Sequence, residues 1–343
     1  MSLSIKDFQE HTAGLRRTVE DRLRGCVAGR GWPSSLQAAV EYSLLAGGKR
    51  LRPLLVLLAS DLCGGNQSHA IEPACSIEAI HTYSLIHDDL PAMDNDDYRR
   101  GRLTSHRVFG EALAILAGDA LLTLAFELLA ESPAPAAIRA DCLQILARAA
   151  GGSGMVGGQV LDLEAERGPF PPGPAAVESA EIRADSRCAA GNSAVWGGVG
   201  AGPEHFVEFA SPGTDISRVE DLNRIHKMKT GALIAVALEM GSAAAQAPSE
   251  IRSRLREYGL CIGLAFQIAD DLLDVTGDAA RLGKTPGRDV DLGKLTYPAL
   301  MGLENSRTCA EQLVKRACQA IAPLGPQSSH LQLLAKFIVE RDH

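Results

Sequence analysis

The sequence predicts an all-α protein built as a single domain. Apolar residues return at steps of three and four through 36–45, 51–62, 71–86, 113–129, 138–149, 233–245 and 251–273, the period of helices that bury one face. No stretch of comparable length alternates with period two between turn signals, so no sheet is expected. With 343 residues, 46% of them hydrophobic and 22% charged, the chain is long enough to bury one large core.

Between the first two helical segments, Gly47-Gly48-Lys49-Arg50-Leu51-Arg52-Pro53 puts three cations after a glycine pair, at the entrance to an apolar helix. Backbone N–H groups and side chains there can cradle an anion, although glycines with cations also make ordinary loops.

The helix over 71–86 ends in His87-Asp88-Asp89-Leu90-Pro91-Ala92-Met93-Asp94, followed by Asn95, Asp96, Asp97, Tyr98, Arg99 and Arg100. Five carboxylates within ten residues repel one another, and a helix C-terminus is a poor place for negative charge. A six-residue step separates Asp88 from Asp94 across two faces of a straight helix, but Pro91 permits a distortion that lets them converge. Such a half-open cluster offers Mg²⁺ a few carboxylates and leaves room for water and phosphate, with Arg99 and Arg100 as further counter-charges. A solvated acidic turn is the plain alternative.

The segment 112–130 is the most apolar, yet Gly118, Asp119 and Glu127 interrupt it, so a buried helix is expected rather than a membrane span. From about 166 to 217 the helical period is lost among Pro169, Pro171, Pro172, Pro174, Pro203, Pro212 and many glycines. This region reads as a long surface insertion within the one domain.

Lys227, Lys229 and Thr230 stand just before the next helix, where an oxyanion is favoured. In Phe266-Gln267-Ile268-Ala269-Asp270-Asp271-Leu272-Leu273-Asp274, Asp270 and Asp274 share one face of an otherwise apolar helix. Burying unpaired carboxylates there is expensive, so a cavity holding metal is expected, with Gln267 one turn before Asp270. Lys284 and Lys294 follow, each beside glycine and threonine. Two carboxylate clusters and four cationic stations together describe a site for one or two diphosphates bridged by Mg²⁺.

A formal charge of -8 argues against a nucleic-acid partner. Eight cysteines (Cys26, Cys63, Cys75, Cys142, Cys188, Cys261, Cys309 and Cys318) contain no C-x-x-C pair, which suits a reducing cytoplasm better than a disulfide or zinc scaffold. The first twenty residues lack the apolar stretch of a signal peptide.

The ordered motifs resemble the trans-prenyl diphosphate synthases, especially bacterial farnesyl and plant-type geranylgeranyl diphosphate synthases. They are G-G-K-R-L-R-P at 47–53, I-H-T-Y-S-L-I-H-D-D-L-P-A-M-D at 80–94, R-R-G at 99–101, G-D-A-L-L at 118–122, G-M-V-G-G-Q at 154–159, K-T-G-A-L at 229–233, F-Q-I-A-D-D-L-L-D at 266–274 and G-K at 283–284. The resemblance implies an isoprenoid synthase-like bundle of long helices around a central cavity, a homodimer, and three Mg²⁺ per active site with diphosphate bound. It implies metal ligation by Asp88, Asp94 and Asp270, supported by Asp89, Asp271 and Asp274. Arg99, Lys229, Thr230, Gln267, Lys284 and Lys294 resemble the allylic diphosphate contacts, and Lys49, Arg52, His81 and Arg100 the isopentenyl diphosphate pocket. Among these, Asp88, Asp89, Asp94, Arg99, Lys229 and Asp270 are expected to carry catalysis.

Five and four residues before Asp88 stand Tyr83 and Ser84, which point back down their helix and are expected to form the floor that limits product length. A bulky Tyr83 resembles the farnesyl-producing pattern; small residues accompany longer products such as geranylgeranyl diphosphate. Other readings are a class I terpene cyclase, which needs one diphosphate and no second basic station, a non-catalytic synthase subunit, which should lack metal aspartates, and a metal-dependent phosphohydrolase, which has no use for a large apolar cavity.

Overall fold

The computed structural model describes residues 4–168, 170, 216–276 and 295–339. Nearly all of the expected insertion at about 166–217 lies outside them. The fold is all-α, with a single two-residue strand pair as its departure among the described residues.

In chain order the helices are α1 (Ile5–Val27), α2 (Ser34–Leu44), α3 (Leu51–Leu62), α4 (Gln67–Asp88), α5 (Ser105–Phe109), α6 (Glu111–Glu131), α7 (Ala136–Ala150), α8 (Met155–Arg167), α9 (Ile216–His226), α10 (Ala232–Ala244), α11 (Ser249–Thr276), α12 (Tyr297–Met301), α13 (Leu303–Ile321) and α14 (Ser329–Val339). A π-helical turn, Lys227–Gly231, joins α9 to α10. Every residue of α10 except Glu239 is buried, because it runs between α3, α4, α7 and α11. A helix apolar on all sides belongs at the centre of a bundle. Around it α4 packs on α6 and α3, and α11 packs on α13. One continuous apolar core results, from Phe8 in α1 to Ile338 in α14.

The strands β1 (Tyr98–Arg99) and β2 (Arg102–Leu103) pair antiparallel across Arg100 and Gly101. Both turn residues have positive φ, 53° and 74°, as a two-residue hairpin of this hand requires. Strands this short carry no alternation for a sequence pattern to detect.

The expectation of a buried helix at 112–130 holds for one face of α6. Ala114, Leu121, Leu124, Ala125 and Leu128 are buried, whereas Ile115 and Leu116 are 43% and 56% exposed. This is the one described helix long and apolar enough to cross a membrane, with 44% of its most apolar window inside the fold. The seven described cysteines are all free thiols.

Candidate active site

Helix α4 stops at Asp88, and the chain then curls back on itself. Asp94 donates its N–H to the Asp88 carbonyl at 2.9 Å, and Asp96 donates to the Asp89 carbonyl at 3.1 Å. Asp88 and Asp94 therefore converge by reversal of the chain after Pro91, not by a distorted helix continuing through it. Arg167 of α8 holds the outside of this loop by donating to the carbonyls of Ala92 and Met93.

The two adjacent aspartates part company. Asp89 is buried and grips Arg99, with Oδ1 2.6 Å from one terminal nitrogen and 2.8 Å from Nε. This charge-assisted pair ties the hairpin to the end of α4. Asp88 has no such clamp. Burial raises its pKa to about 6, with Asp94 and Asp89 pushing the same way and Lys229 and Arg99 opposing. A carboxylate in that state gains from any cation that joins it.

Lys229 approaches from the π-helical turn, where the local widening re-aims side chains. Gly158 of α8 permits the approach: a Cβ there would sit 2.3 Å from the Lys229 backbone nitrogen. The Lys229 Nζ is 2.6 Å from Asp162 Oδ2. Burial works against the ammonium, but Asp162, Asp88 and Asp94 outweigh it and hold the pKa above its ordinary value. Thr230 occupies the same turn, half-buried. Sequence reasoning missed Asp162; its signal is its place one turn after Gln159 on a helix that ends beside the acidic loop.

The glycine-cation loop is less uniform than the expected three-cation cradle. Lys49 is exposed and Arg52 is half-buried. Arg50 instead turns into the protein, its side chain 1% exposed, bonded to Glu20 at 2.8 Å, Glu78 at 2.7 Å and the Leu44 carbonyl at 2.8 Å. Arg52 keeps an Nε shielded from solvent with no hydrogen-bond partner among the described residues. Burial lowers its pKa, with the charges of Glu78 and Asp270 opposing. Arg100, in the hairpin turn, donates to the Gly47 carbonyl.

His81 lies on α4 within the reach of these arginines. Burial, then Arg52, Arg100, Arg99 and Arg50, push its pKa well below the usual histidine value. It is thus a neutral ring among cations, a place prepared for an anion.

The second aspartate motif lies on α11. Asp270 is half-buried and, after Glu78, is the second carboxylate whose charge acts on Arg52, while Asp271 and Asp274 are 5% and 2% exposed. Asp271 Oδ2 accepts the Tyr297 N–H at 3.0 Å, and the Tyr297 hydroxyl donates to Asn223. Asp271 thereby fastens α12 and α9 behind the site. Gln267 stands half-buried one turn before Asp270. Lys284 and Lys294 lie outside the described residues.

Among the described residues no three His, Cys, Asp or Glu side chains already surround a common ion position. Mg²⁺ itself keeps water and takes substrate phosphate alongside one or two carboxylates. The raised pKa of Asp88 beside Asp94 is the feature that fits such an ion.

Below the first motif, Ser84 lies near the face of α4 that carries Asp88, and Tyr83 is turned about 140° away from Asp88 around the helix. Tyr83 is 6% exposed and meets the ring of His87 edge-on, centroids 5.7 Å apart. The His87 ring in turn presses on α6 where Gly118 leaves room; a Cβ at Gly118 would lie 2.1 Å from His87 Nε2.

A sequence model of the polyprenyl synthetase family matches residues 33–171 and 206–323. A dimethylallyltranstransferase of Fischerella ambigua is 39% identical over 98% of this chain and 84% of the relative. A putative chloroplastic geranylgeranyl pyrophosphate synthase of Arabidopsis thaliana is 44% identical over 92% of this chain and 76% of the relative. The fold is similar to the crystal structure of an FPP/GFPP synthase from Zymomonas mobilis, with a TM-score of 0.74 and 34% identity over 97% of this chain and 99% of that one. It is also similar to that of a geranyltransferase from Legionella pneumophila, with a TM-score of 0.75 and 31% identity over 98% and 97% of the two chains.

Proposed function

This chain belongs to the polyprenyl synthetase family and is a prenyltransferase, and from that premise we propose that it joins isopentenyl diphosphate to dimethylallyl and geranyl diphosphate, releasing farnesyl diphosphate. The observation that carries the reading is the convergence of Lys229 and Arg99 on the Asp88–Asp94 pair. Cations and carboxylates alternate there as a diphosphate with bound metal requires.

Mg²⁺, three ions per site in this reading, would be held by Asp88, Asp94 and Asp270 and would supply Lewis-acid neutralisation of the departing diphosphate. Lys229, Arg99 and Thr230 hold the allylic diphosphate and take up the charge that develops as its carbon–oxygen bond breaks. Lys49, Arg52, Arg100 and His81 hold isopentenyl diphosphate so that its double bond meets the allylic carbon. A proton is then lost from the new chain. No protein nucleophile is required, and water has to be kept from the cation.

The bulky, buried Tyr83 supports fifteen carbons only through its likeness to the farnesyl-producing pattern. The second reading, geranylgeranyl diphosphate, is favoured by the relatives that carry that name. A cyclase leaves the Lys49, Arg52, His81 and Arg100 station without a role, and a non-catalytic subunit does the same for Asp88 and Asp94. The exposed Ile115 and Leu116 on α6 support a homodimer through that face. We take the chain to be one cytoplasmic domain with an insertion at about 166–217, and the break in the family match between 171 and 206 supports the insertion.

The test is to supply Mg²⁺, labelled isopentenyl diphosphate and geranyl diphosphate and to size the dephosphorylated products. Farnesol is expected; geranylgeraniol as the main product keeps the synthase and removes the Tyr83 argument.

A further inference from the structure

We propose that Arg50 is a positioning residue for the isopentenyl diphosphate station, occupying Glu78 so that Arg52 stays free for the substrate. The inference rests on the reaction proposed above and concerns a residue that touches no substrate in it.

Three nitrogens of Arg50 each hold a protein acceptor, on three different helices: Nε on Glu20 of α1, one terminal nitrogen on Glu78 of α4, the other on the Leu44 carbonyl ending α2. The Arg50 backbone is left-handed, φ 49°, and it follows Gly47 and Gly48 at 77° and 135°. Glycine adopts that region without strain and arginine does not. The conformation persists because the buried guanidinium fixes it. Arg50 precedes α3 directly, with Lys49 exposed on one side and, on the other, Arg52, whose charge acts on His81 and Asp270.

Glu78 is the reason the side chain matters beyond holding the loop. It is 3% exposed, stands three residues before His81, and its charge is felt by Arg50, Arg52 and Arg100 alike. A buried carboxylate left without a partner is costly and takes the nearest cation. With Arg50 gone, the cations left to it are those of the station itself, Arg100 and Arg52, whose Nε has no partner among the described residues. Arg52 bound to Glu78 is lost to the diphosphate.

The experiment measures KM for each substrate separately, and isopentenyl diphosphate affinity by titration calorimetry, in Arg50→Met, Arg50→Lys, Glu20→Gln and the double variant Arg50→Met/Glu78→Gln. Arg50→Met is expected to raise KM and Kd for isopentenyl diphosphate about tenfold or more, with the allylic KM within about twofold. Lysine is expected not to replace arginine, because one ammonium cannot span three acceptors. Neutralising Glu78 in the double variant should recover most of the lost affinity. Should Arg50→Met not fold, Glu20→Gln, at the rim of the cluster, is expected to show the same selective rise, about two- to fivefold. Equal rises in both KM values, a fall in kcat alone, or a double variant no better than the single would overturn the proposal. Wild-type protein that binds isopentenyl diphosphate without turnover would sink the reaction, and the calorimetry would still decide the role of Arg50.

Discussion

Lys229 and Asp162 meet across the seam between the π-helical turn and α8, Nζ to Oδ2 at 2.6 Å, and the charges of Asp88 and Asp94 also act on the ammonium. Asp162 therefore aims the lysine before any substrate arrives. Asp162→Asn is expected to lower kcat/KM for the allylic diphosphate by about 10- to 100-fold while sparing the KM for isopentenyl diphosphate. Lys229→Met should cost as much, and the double variant little more than either single, because the two act as a unit. Steady-state kinetics of the four proteins checks this.

Asp88 is the residue at which function opposes stability. Its folded pKa of about 6 is above the ordinary 3.8, so the folded protein without metal keeps a proton that the unfolded chain releases. Stability falls as pH rises through that window, and the cost is complete above about pH 6. Asp88→Asn should raise the melting temperature of EDTA-treated protein at pH 7.5 by a few degrees, corresponding to roughly 1–3 kcal/mol. The gain should disappear at pH 4, and turnover should fall about 1000-fold or more. Scanning calorimetry at the two pH values, with and without Mg²⁺, reads all of it.

His81 should take up a proton when isopentenyl diphosphate binds. Free, it is neutral because burial and four arginines hold its pKa well below the usual value; bound phosphate reverses the local charge and favours the imidazolium. The affinity should rise as pH falls from 8 toward 6, and calorimetry in buffers of different ionisation enthalpy should report proton uptake. His81→Gln should abolish the uptake. The same depressed pKa works against the free protein, whose stability is expected to drop as pH falls below about 6.5.

Much of the bundle was legible because helices that bury one face repeat every three or four residues, as α6 and α7 do, and because α3 and α10 are apolar nearly all round. The acidic and basic stations were legible too, since carboxylates and glycine-flanked cations are costly in apolar surroundings. What the sequence concealed is pairing at a distance. Nothing local distinguishes Asp89, clamped on Arg99, from Asp88 beside it, or Arg50, turned inward, from Lys49. Likewise nothing local singles out Asp162, Glu20 and Glu78 as the acids to which the fold brings Lys229 and Arg50.

Product length gives a prediction on both sides of one contact. Tyr83→Ala should move the main product from fifteen to twenty carbons or more, if the bulk of this ring limits the tail as the proposed reading holds. Gly118→Ala, which drives a methyl into the His87 ring, should disturb the same wall and cost about 1–3 kcal/mol of stability through overpacking. Chromatography of the dephosphorylated products and a thermal melt check the two variants.

The most direct measurement is incorporation of labelled isopentenyl diphosphate into an acid-labile allylic product by the purified protein, with dimethylallyl or geranyl diphosphate as starter, in Mg²⁺ and in EDTA. The expected result is incorporation from both starters that EDTA abolishes and that Asp88→Asn or Lys229→Met reduces by orders of magnitude. No incorporation from either starter, or incorporation indifferent to EDTA and to Asp88, would contradict the account.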